Sequence, residues 1–388
     1  MRVLHIINSY GGTEVYKNLI TELDKLGVSQ TVYVPLSVAN RERVGNQLID
    51  FRVKDSQIIY STVLNTLDRF IYESKIAKCV KDVEKRVRIE DFDIIHAGMV
   101  LFDGAIAYKL SKKYNRPYIS AIRGTDTLYY EKFFWKRSFF KKVLLNSTKL
   151  VSISPHCIQE FCGQPSLAEC RENIVNETLI IPNGIDKRFL YDLYRQSRVL
   201  SNKQMRIVFV AAYQRNKGIK ELIEAIIDLN KEGYKITLDA IGDGLPFRDT
   251  NADYVSELKK IATTHKEIHL LKFMDKDGIK EFLRKSDIFA MPSRKETFGL
   301  VYIEALSQGL PILYSKNDGI DGFYEDGYVG YGAIALDKED IKRQIIKIYD
   351  DYPTLLENIR NLNFEKDFGW PSIAQKYYTI YKQVVGHE

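Results

Sequence analysis

The densest group of residues able to do chemistry is Pro292-Ser293-Arg294-Lys295-Glu296-Thr297-Phe298-Gly299-Leu300-Val301-Tyr302-Ile303-Glu304-Ala305-Leu306. A strand pattern ends near Met291, a loop carries Glu296, and a helix is predicted to start near Phe298 or Gly299. Backbone N–H groups at a helix start lack partners and carry partial positive charge, so they attract anions. A glycine there lets a phosphate or sugar come close to the backbone. Glu304 falls on the helix, eight positions after Glu296. If the whole span were helical, ~1.5 Å per residue would put the two acids roughly 12 Å apart, beyond the ~5–9.5 Å of a glycosidase pair. They suit gripping two ends of one ligand better than cleaving it. The bland alternative is a loop acid and a helix-face acid with no shared task.

Other candidates are more scattered. Arg123-Gly124-Thr125-Asp126 follows the apolar run Pro117–Ile122, so Arg123 is expected at the ligand-facing end of a strand. Asp126 shares that position or simply caps the next helix. From Tyr129 to Lys142, cations alternate with large aromatics, among them Trp135, Lys136, Arg137, Lys141 and Lys142. A basic amphipathic helix of this kind predicts contact with an anionic membrane surface; the alternative is a domain helix with a solvated basic face. Asp126, Trp135, Lys136, Arg137, Lys141 and Lys142 are therefore assigned to an acceptor or membrane face. Residues 101–150 hold eleven Lys/Arg against three Asp/Glu, an excess of +8, whereas the whole chain carries +6 and the remainder is thus −2. The charge is local and no nucleic-acid motif accompanies it, so a nucleic-acid partner is not expected.

Two D-x-D strings occur. Asp91-Phe92-Asp93 precedes its strand, and Asp275-Lys276-Asp277 has a cation at its centre and reads as a helix cap. Neither predicts a metal site, and no cofactor is expected. Gly11-Gly12 follows a first strand, but the flanking residues Ser9, Tyr10, Glu14 and Val15 spoil a G-x-G-x-x-G dinucleotide fingerprint. His5, His96 and His156 are read as structural, with His96 at a strand end. Cys79, Cys157, Cys162 and Cys170 match no zinc or redox spacing and are read as free thiols.

Positioning these residues requires alternating strands and helices. Val3–Ile7, Thr31–Pro35, Asp93–Ala97, Pro117–Ile122, Leu150–Ser154 and Thr178–Ile181 are short apolar runs, separated by helical patterns such as Glu14–Leu26, Gly104–Tyr114 and Lys132–Leu145. After the turn residues Asn183-Gly184-Ile185-Asp186 and a polar helical stretch to about Lys203, the series restarts with Arg206–Ala211, Ile236–Ile241, Ile268–Phe273 and Ile288–Met291. At 388 residues, two doubly wound α/β domains are expected, with ligands at the carboxyl ends of parallel strands. The N-terminal strand pattern does not read as a signal peptide, and no run of about 18 apolar residues occurs. The expected location is the cytoplasm, at the inner face of the cell membrane where the basic face makes contact.

The Glu296–Glu304 segment closely resembles the E-x7-E motif of retaining GT-B glycosyltransferases of family 4. Gly11-Gly12-Thr13-Glu14, Asp93-Ile94-Ile95-His96-Ala97, Ile181-Pro182-Asn183-Gly184-Ile185-Asp186, Lys217-Gly218, Gly242-Asp243-Gly244 and Phe368-Gly369-Trp370 match the family's other landmarks in order, over nearly the whole chain. The resemblance implies two Rossmann-like domains facing a cleft: an acceptor-binding domain at 1–186, a linker at 187–203, a nucleotide-sugar domain at 204–365, and a C-terminal helix at 366–388 that packs back on the first domain.

By the same resemblance, Glu304 accepts from the donor ribose, and Glu296 with the N–H groups of Phe298, Gly299 and Leu300 holds donor sugar and diphosphate. Lys217 neutralises the diphosphate, Gly12 lets the first loop close on phosphate or acceptor, and Gly242 lies beside the donor. The family's usual arginine is replaced by Ala212, so Arg215 is expected to supply the second cation. Arg123 stands where many members have His-Gly. The catalytic set is thus Glu296, Lys217, Arg215 and Arg123. The implied reaction is metal-independent transfer, with retention, of a hexosyl unit from a nucleotide diphosphate sugar to a glycan or lipid-linked acceptor in bacterial surface polysaccharide or glycolipid synthesis. The rival readings are a non-catalytic nucleotide-sugar or partner-binding protein, which the missing arginine favours, and a GT-B phosphorylase or epimerase.

Overall fold

The computed structural model describes residues 1–196, 198–242 and 252–386. Its backbone divides into two compact units, Met1–Gly184 with Trp370–Glu388, and Ile185–Gly369.

The first unit holds seven parallel strands: β1 (Arg2–Ile6), β2 (Ser29–Pro35), β3 (Gln57–Ser61), β4 (Ile94–Ala97), β5 (Tyr118–Ile122), β6 (Lys149–Ser152) and β7 (Thr178–Ile180), in the order β3-β2-β1-β4-β5-β6-β7. The central strands are buried on both faces, which is why they read as continuous apolar runs rather than as alternating ones. The first helix, Glu14–Lys25, starts at Thr13, whose hydroxyl accepts from the Val15 N–H at 3.3 Å. Trp370–Val385 forms the last helix. Its buried residues Trp370, Ile373, Ala374, Tyr377, Ile380 and Tyr381 lie on one helical face and join Leu19, Leu23, Val3, Ile94 and Ile119 in a single core. Gly184 lies under Trp370, where a β-carbon would come within 2.6 Å of the indole.

The second unit has six parallel strands: β8 (Gln204–Val210), β9 (Lys235–Ile241), β10 (Ile268–Leu271), β11 (Ile288–Ala290), β12 (Ile312–Ser315) and β13 (Gly330–Ala333), in the order β10-β9-β8-β11-β12-β13. Both sheets reverse their strand order about the first strand, the topology that places ligands at strand carboxyl ends.

The structure corrects the sequence reading at two places. Among its described residues, the stretch expected to be helical up to Lys203 contains one four-residue helix, Lys187–Leu190. The rest is irregular and is tied to the second unit: Asp192 pairs with Arg284 at 2.7 Å and Lys280 at 3.0 Å, and Arg198 donates to the carbonyls of Leu283, Arg284 and Gln308. The expected helix Lys132–Leu145 is also interrupted. One helix covers Gly124–Lys132, a single 3-10 turn covers Phe134–Lys136, and a second helix covers Arg137–Leu145. Phe133, buried at the break with ψ 49°, packs on Tyr72 and diverts the chain.

Candidate active site

In the second unit, the loops after β8 and β11 are clamped together. Gly218 has φ +70° and starts the helix Ile219–Lys231; a β-carbon there would lie 2.3 Å from the Pro292 carbonyl oxygen. The Arg294 N–H donates to the Asn216 carbonyl at 2.6 Å. This closure brings Lys217 Nζ to 2.7 Å from Glu296 Oε2, with both side chains partly buried.

The loop around Glu296 is strained. Lys295 has φ +66° and Gly299 φ +78°, so two left-handed residues bracket the glutamate. Gly299 lies over the Tyr302 ring, with room for a hydrogen only, since a β-carbon would be 2.5 Å from ring atoms. The Tyr302 hydroxyl in turn donates to the Met291 carbonyl at 2.5 Å. Asp318 secures the other side by accepting from the N–H groups of Lys295 and Glu296, the latter at 2.6 Å. Burial pushes the Asp318 carboxyl up to about 6, against the pull of those N–H donors.

Gly299 caps the helix Leu300–Ser307, and Glu304 is on that helix, 8% exposed. Burial raises the Glu304 pKa, and the Lys276 ammonium 3.3 Å away opposes the rise. Lys276 also reaches Asp186 at 3.4 Å. At Asp186 burial disfavours ionisation, but the Arg188 N–H and the two cations more than offset it, and the pKa falls. Asp275, next to Lys276, caps its helix by accepting from the Gly278 N–H at 2.9 Å, as the sequence suggested.

The fold thus brings Lys217, Glu296, Phe298, Gly299 and Leu300 together at the carboxyl ends of β8 and β11, with Glu304 one turn further along the helix that Leu300 begins. Phe298 itself is buried, against Phe323. Arg215 adjoins Lys217 in the turn Arg215–Lys217, but its guanidinium lies over the Tyr254 ring at 4.6 Å. Gly242 ends β9 against the Ala211 carbonyl; Asp243 and Gly244 lie outside the described residues. Asp318, Lys276 and Asp186 escaped the sequence reading. The signal for Asp318 is its place beside the glycine-containing stretch Gly319-Ile320-Asp321-Gly322. Lys276 had been weighed only as an argument against a cation site.

In the first unit, Arg123 follows β5 as expected. Its guanidinium donates to Asn183 Oδ1 at 3.1 Å and the Gly98 carbonyl at 3.4 Å, and lies 5.6 Å from the Tyr16 ring centre. Asp126, assigned to an acceptor or membrane face, is 0% exposed. Its carboxylate accepts from the N–H groups of Arg123 at 2.9 Å, Leu101 at 2.8 Å and Val100 at 3.4 Å. Burial raises its pKa to about 6. The capping role holds and a surface role does not, because the orphan N–H groups of two chain segments converge there. Gly12 faces the Arg43 guanidinium, so a β-carbon there would displace the end of that flexible side chain.

The basic aromatic segment splits by function. Tyr130, Phe133 and Phe140 are core residues, whereas Phe134 and Trp135 stand 61% and 58% exposed with their rings in edge contact. Lys136 pairs with Glu73, Lys141 with Glu169 at 3.0 Å, and Arg137 lies over the Tyr130 ring. Lys142 is exposed.

Two doubly wound units of parallel sheet and helices make up the GT-B fold. Residues 191–363, within the second unit, match the family model described as glycosyl transferases group 1. Among relatives, an uncharacterized glycosyltransferase of Methanocaldococcus jannaschii is 26% identical over 321 residues, 82% of this chain and 83% of its own. The alpha-monoglucosyldiacylglycerol synthase of Acholeplasma laidlawii is 32% identical over 163 residues, 40% of each chain. Among solved structures, Anabaena HepE in complex with UDP superposes with a TM-score of 0.70 at 18% identity, covering 99% of this chain and 100% of that one.

Proposed function

We propose that this glycosyltransferase moves a hexosyl unit, with retention, from a nucleotide diphosphate sugar to a glycan or lipid-linked acceptor in bacterial surface polysaccharide or glycolipid synthesis. The observation that carries the proposal is the Lys217–Glu296 pair at the entrance of the helix capped by Gly299. An ammonium, a carboxylate and the unpaired N–H groups of a helix start form a receptor for a phosphorylated sugar.

In this reading the N–H groups of Phe298, Gly299 and Leu300 take the diphosphate, and Lys217 exchanges part of its contact with Glu296 for a phosphate oxygen. Glu296 is then free to accept from donor-sugar hydroxyls. Glu304, held by Lys276, accepts from the ribose. The acceptor oxygen bonds to the anomeric carbon as the carbon–phosphate-oxygen bond breaks on the same face, and the departing phosphate oxygen takes the acceptor proton. Charge on that leaving group is met by Lys217, Arg215 and the helix start, so turnover persists in EDTA.

The test is a thermal-shift panel of UDP, GDP, ADP and their sugars on wild type and Glu304→Ala. A ligand bound only by the folded state raises the midpoint by mass action. A shift with one nucleotide that disappears in the variant supports the reading. A well-folded protein that responds to none of them contradicts it.

The exposed Phe134–Trp135 pair among cations is the membrane-contacting element in the same proposal, with the local charge excess drawing it to anionic lipid. It acts as a short apolar tip rather than as a continuous amphipathic helix.

A further inference from the structure

A cavity of about 330 Å³ opens in the first unit, among the segments that follow β2 and β3. It is lined by Ser37, Val38, Leu64, Asn65, Asp68 and Lys75. The sequence reading placed nothing there.

The polar groups around it are biased toward donors. Asp68 is the lining carboxylate, and its oxygens are already taken: Lys78 reaches them at 2.8 and 2.9 Å, the Asn65 N–H at 2.7 Å and the Ser74 hydroxyl at 3.3 Å. Asn65 uses its side-chain carbonyl oxygen to accept from the Leu67 and Asp68 N–H groups, so the half of its amide outside those bonds is the NH₂ donor. Lys75 has no carboxylate within 4 Å among the described residues. Its ammonium sits 3.7 Å from the Phe102 ring centre and 3.5 Å from the Tyr129 hydroxyl. Burial lowers its pKa, against the more distant pull of Cys79, Asp103 and Asp68. A cavity edged by an ammonium, an amide NH₂ and a serine hydroxyl, with its own carboxylate saturated, is complementary to a ligand that only accepts. Such a ligand is an anion with several oxygens.

The rim adds a second property. Leu67, Phe70 and Ile71, on the segment that continues from the lining residues, are all exposed. Tyr72, the next residue, packs on Phe133, and Glu73 pairs with Lys136, which connects this rim to the exposed Phe134–Trp135 tip.

We infer that this cavity binds a phosphate-type anion carried by the acceptor, with Lys75 as its counter-ion and the apolar rim receiving the acceptor's non-polar part. The inference rests on the proposed transferase reading and gives the acceptor a chemical class. Lys75 is a binding residue here, remote from the Lys217–Glu296 pair in sequence and carried by the other unit.

The experiment compares wild type, Lys75→Met and Lys75→Arg. Methionine keeps the packing on Phe102 while removing the charge. Titration calorimetry with sn-glycerol 3-phosphate and with glycerol reads the anion site, and co-sedimentation with phosphatidylglycerol/phosphatidylcholine vesicles, against phosphatidylcholine alone, reads a lipid-borne phosphate. Glycerol phosphate, but not glycerol, is expected to bind the wild type, to bind Lys75→Met at least about ten-fold more weakly, and to recover with arginine. A parallel loss on phosphatidylglycerol vesicles assigns the anion to a lipid headgroup. A loss confined to glycerol phosphate assigns it to a soluble phosphorylated acceptor. Equal affinity of wild type and Lys75→Met for glycerol phosphate, or no binding by either, overturns the inference. Binding of the responding nucleotide stays unchanged in all three proteins; its failure would count against the donor reading and not against the cavity.

Discussion

Lys217 Nζ and Glu296 Oε2 are 2.7 Å apart although 79 residues separate them, and the contact exists because Gly218 lets the first loop close under Pro292. The pair is a preformed charge arrangement beside the start of the helix Leu300–Ser307. In the proposed reading it supplies a cation for phosphate and a carboxylate for hydroxyls.

Removing either partner should therefore impair transfer more than folding. Lys217→Ala and Glu296→Gln are each expected to lower kcat/KM by about 10²–10³, the usual scale for one lost charge-stabilising group. The double variant should fall short of the product of the two losses, because the residues touch. Steady-state kinetics on the three proteins checks this; strict multiplicativity would show that the contact has no role in turnover.

Gly299 allows a separate test of loop geometry. Its φ of +78° and the Tyr302 ring 2.5 Å from a β-carbon position leave alanine no strain-free place. Gly299→Ala should lose at least about 1–2 kcal/mol from the left-handed conformation alone, and the displaced helix start should weaken nucleotide binding. Denaturant unfolding and nucleotide titration on the same preparation separate the two effects.

Stability should fall on acidification because of His5. Burial pushes it down to about 3, with the Gln30 side chain opposing, and it lies among His96, Tyr381 and Gln30. The folded form keeps His5 neutral while the unfolded chain protonates it near 6.5, so below that pH the unfolded state binds more protons. The contribution of His5 is complete above 6.5 and is lost as pH falls toward 3, at most about 1.4 kcal/mol per pH unit. Asp126 and Asp318, raised to about 6, act in the opposite direction: their neutral forms favour the fold, and that contribution is lost as pH rises through 6. Urea unfolding of wild type and His5→Leu between pH 4 and 7 isolates the histidine, and identical pH slopes would contradict the assignment.

Trp135 reports directly on the membrane element. The chain has two tryptophans, and Trp370 is buried in the core, so an emission shift on adding anionic vesicles comes from Trp135. A blue shift is expected with phosphatidylglycerol vesicles, reduced by charge reversal of Lys136, Arg137, Lys141 and Lys142 and by Trp135→Ser. Because Lys136 and Lys141 are engaged with Glu73 and Glu169, Arg137 and Lys142 should account for most of the electrostatic loss. Unchanged binding after charge reversal would remove the membrane role.

Much of this protein was legible in the chain itself, because local patterns set local structure. Continuous apolar runs such as Val3–Ile7 and Arg206–Ala211 could only be strands covered on both faces, and their alternation with helices required parallel sheets. Gly299 before an apolar helix announced a helix start able to hold an anion, and the spacing of Glu296 and Glu304 suits gripping a ligand better than a hydrolase pair. What lay beyond the chain's reach depended on neighbours distant in sequence. Nothing local shows that Phe133 packs in the core against Tyr72, where the expected basic helix breaks and Phe134 and Trp135 are left as exposed aromatics. Nothing near Asp318 shows that it holds the Glu296 backbone, nor near Asp126 that three N–H groups bury it. The counter-ion of Lys276, and the lack of one within 4 Å of Lys75 among the described residues, are equally products of packing. A charge acquires its role from the groups the fold sets against it, and those partners are supplied by tertiary structure alone.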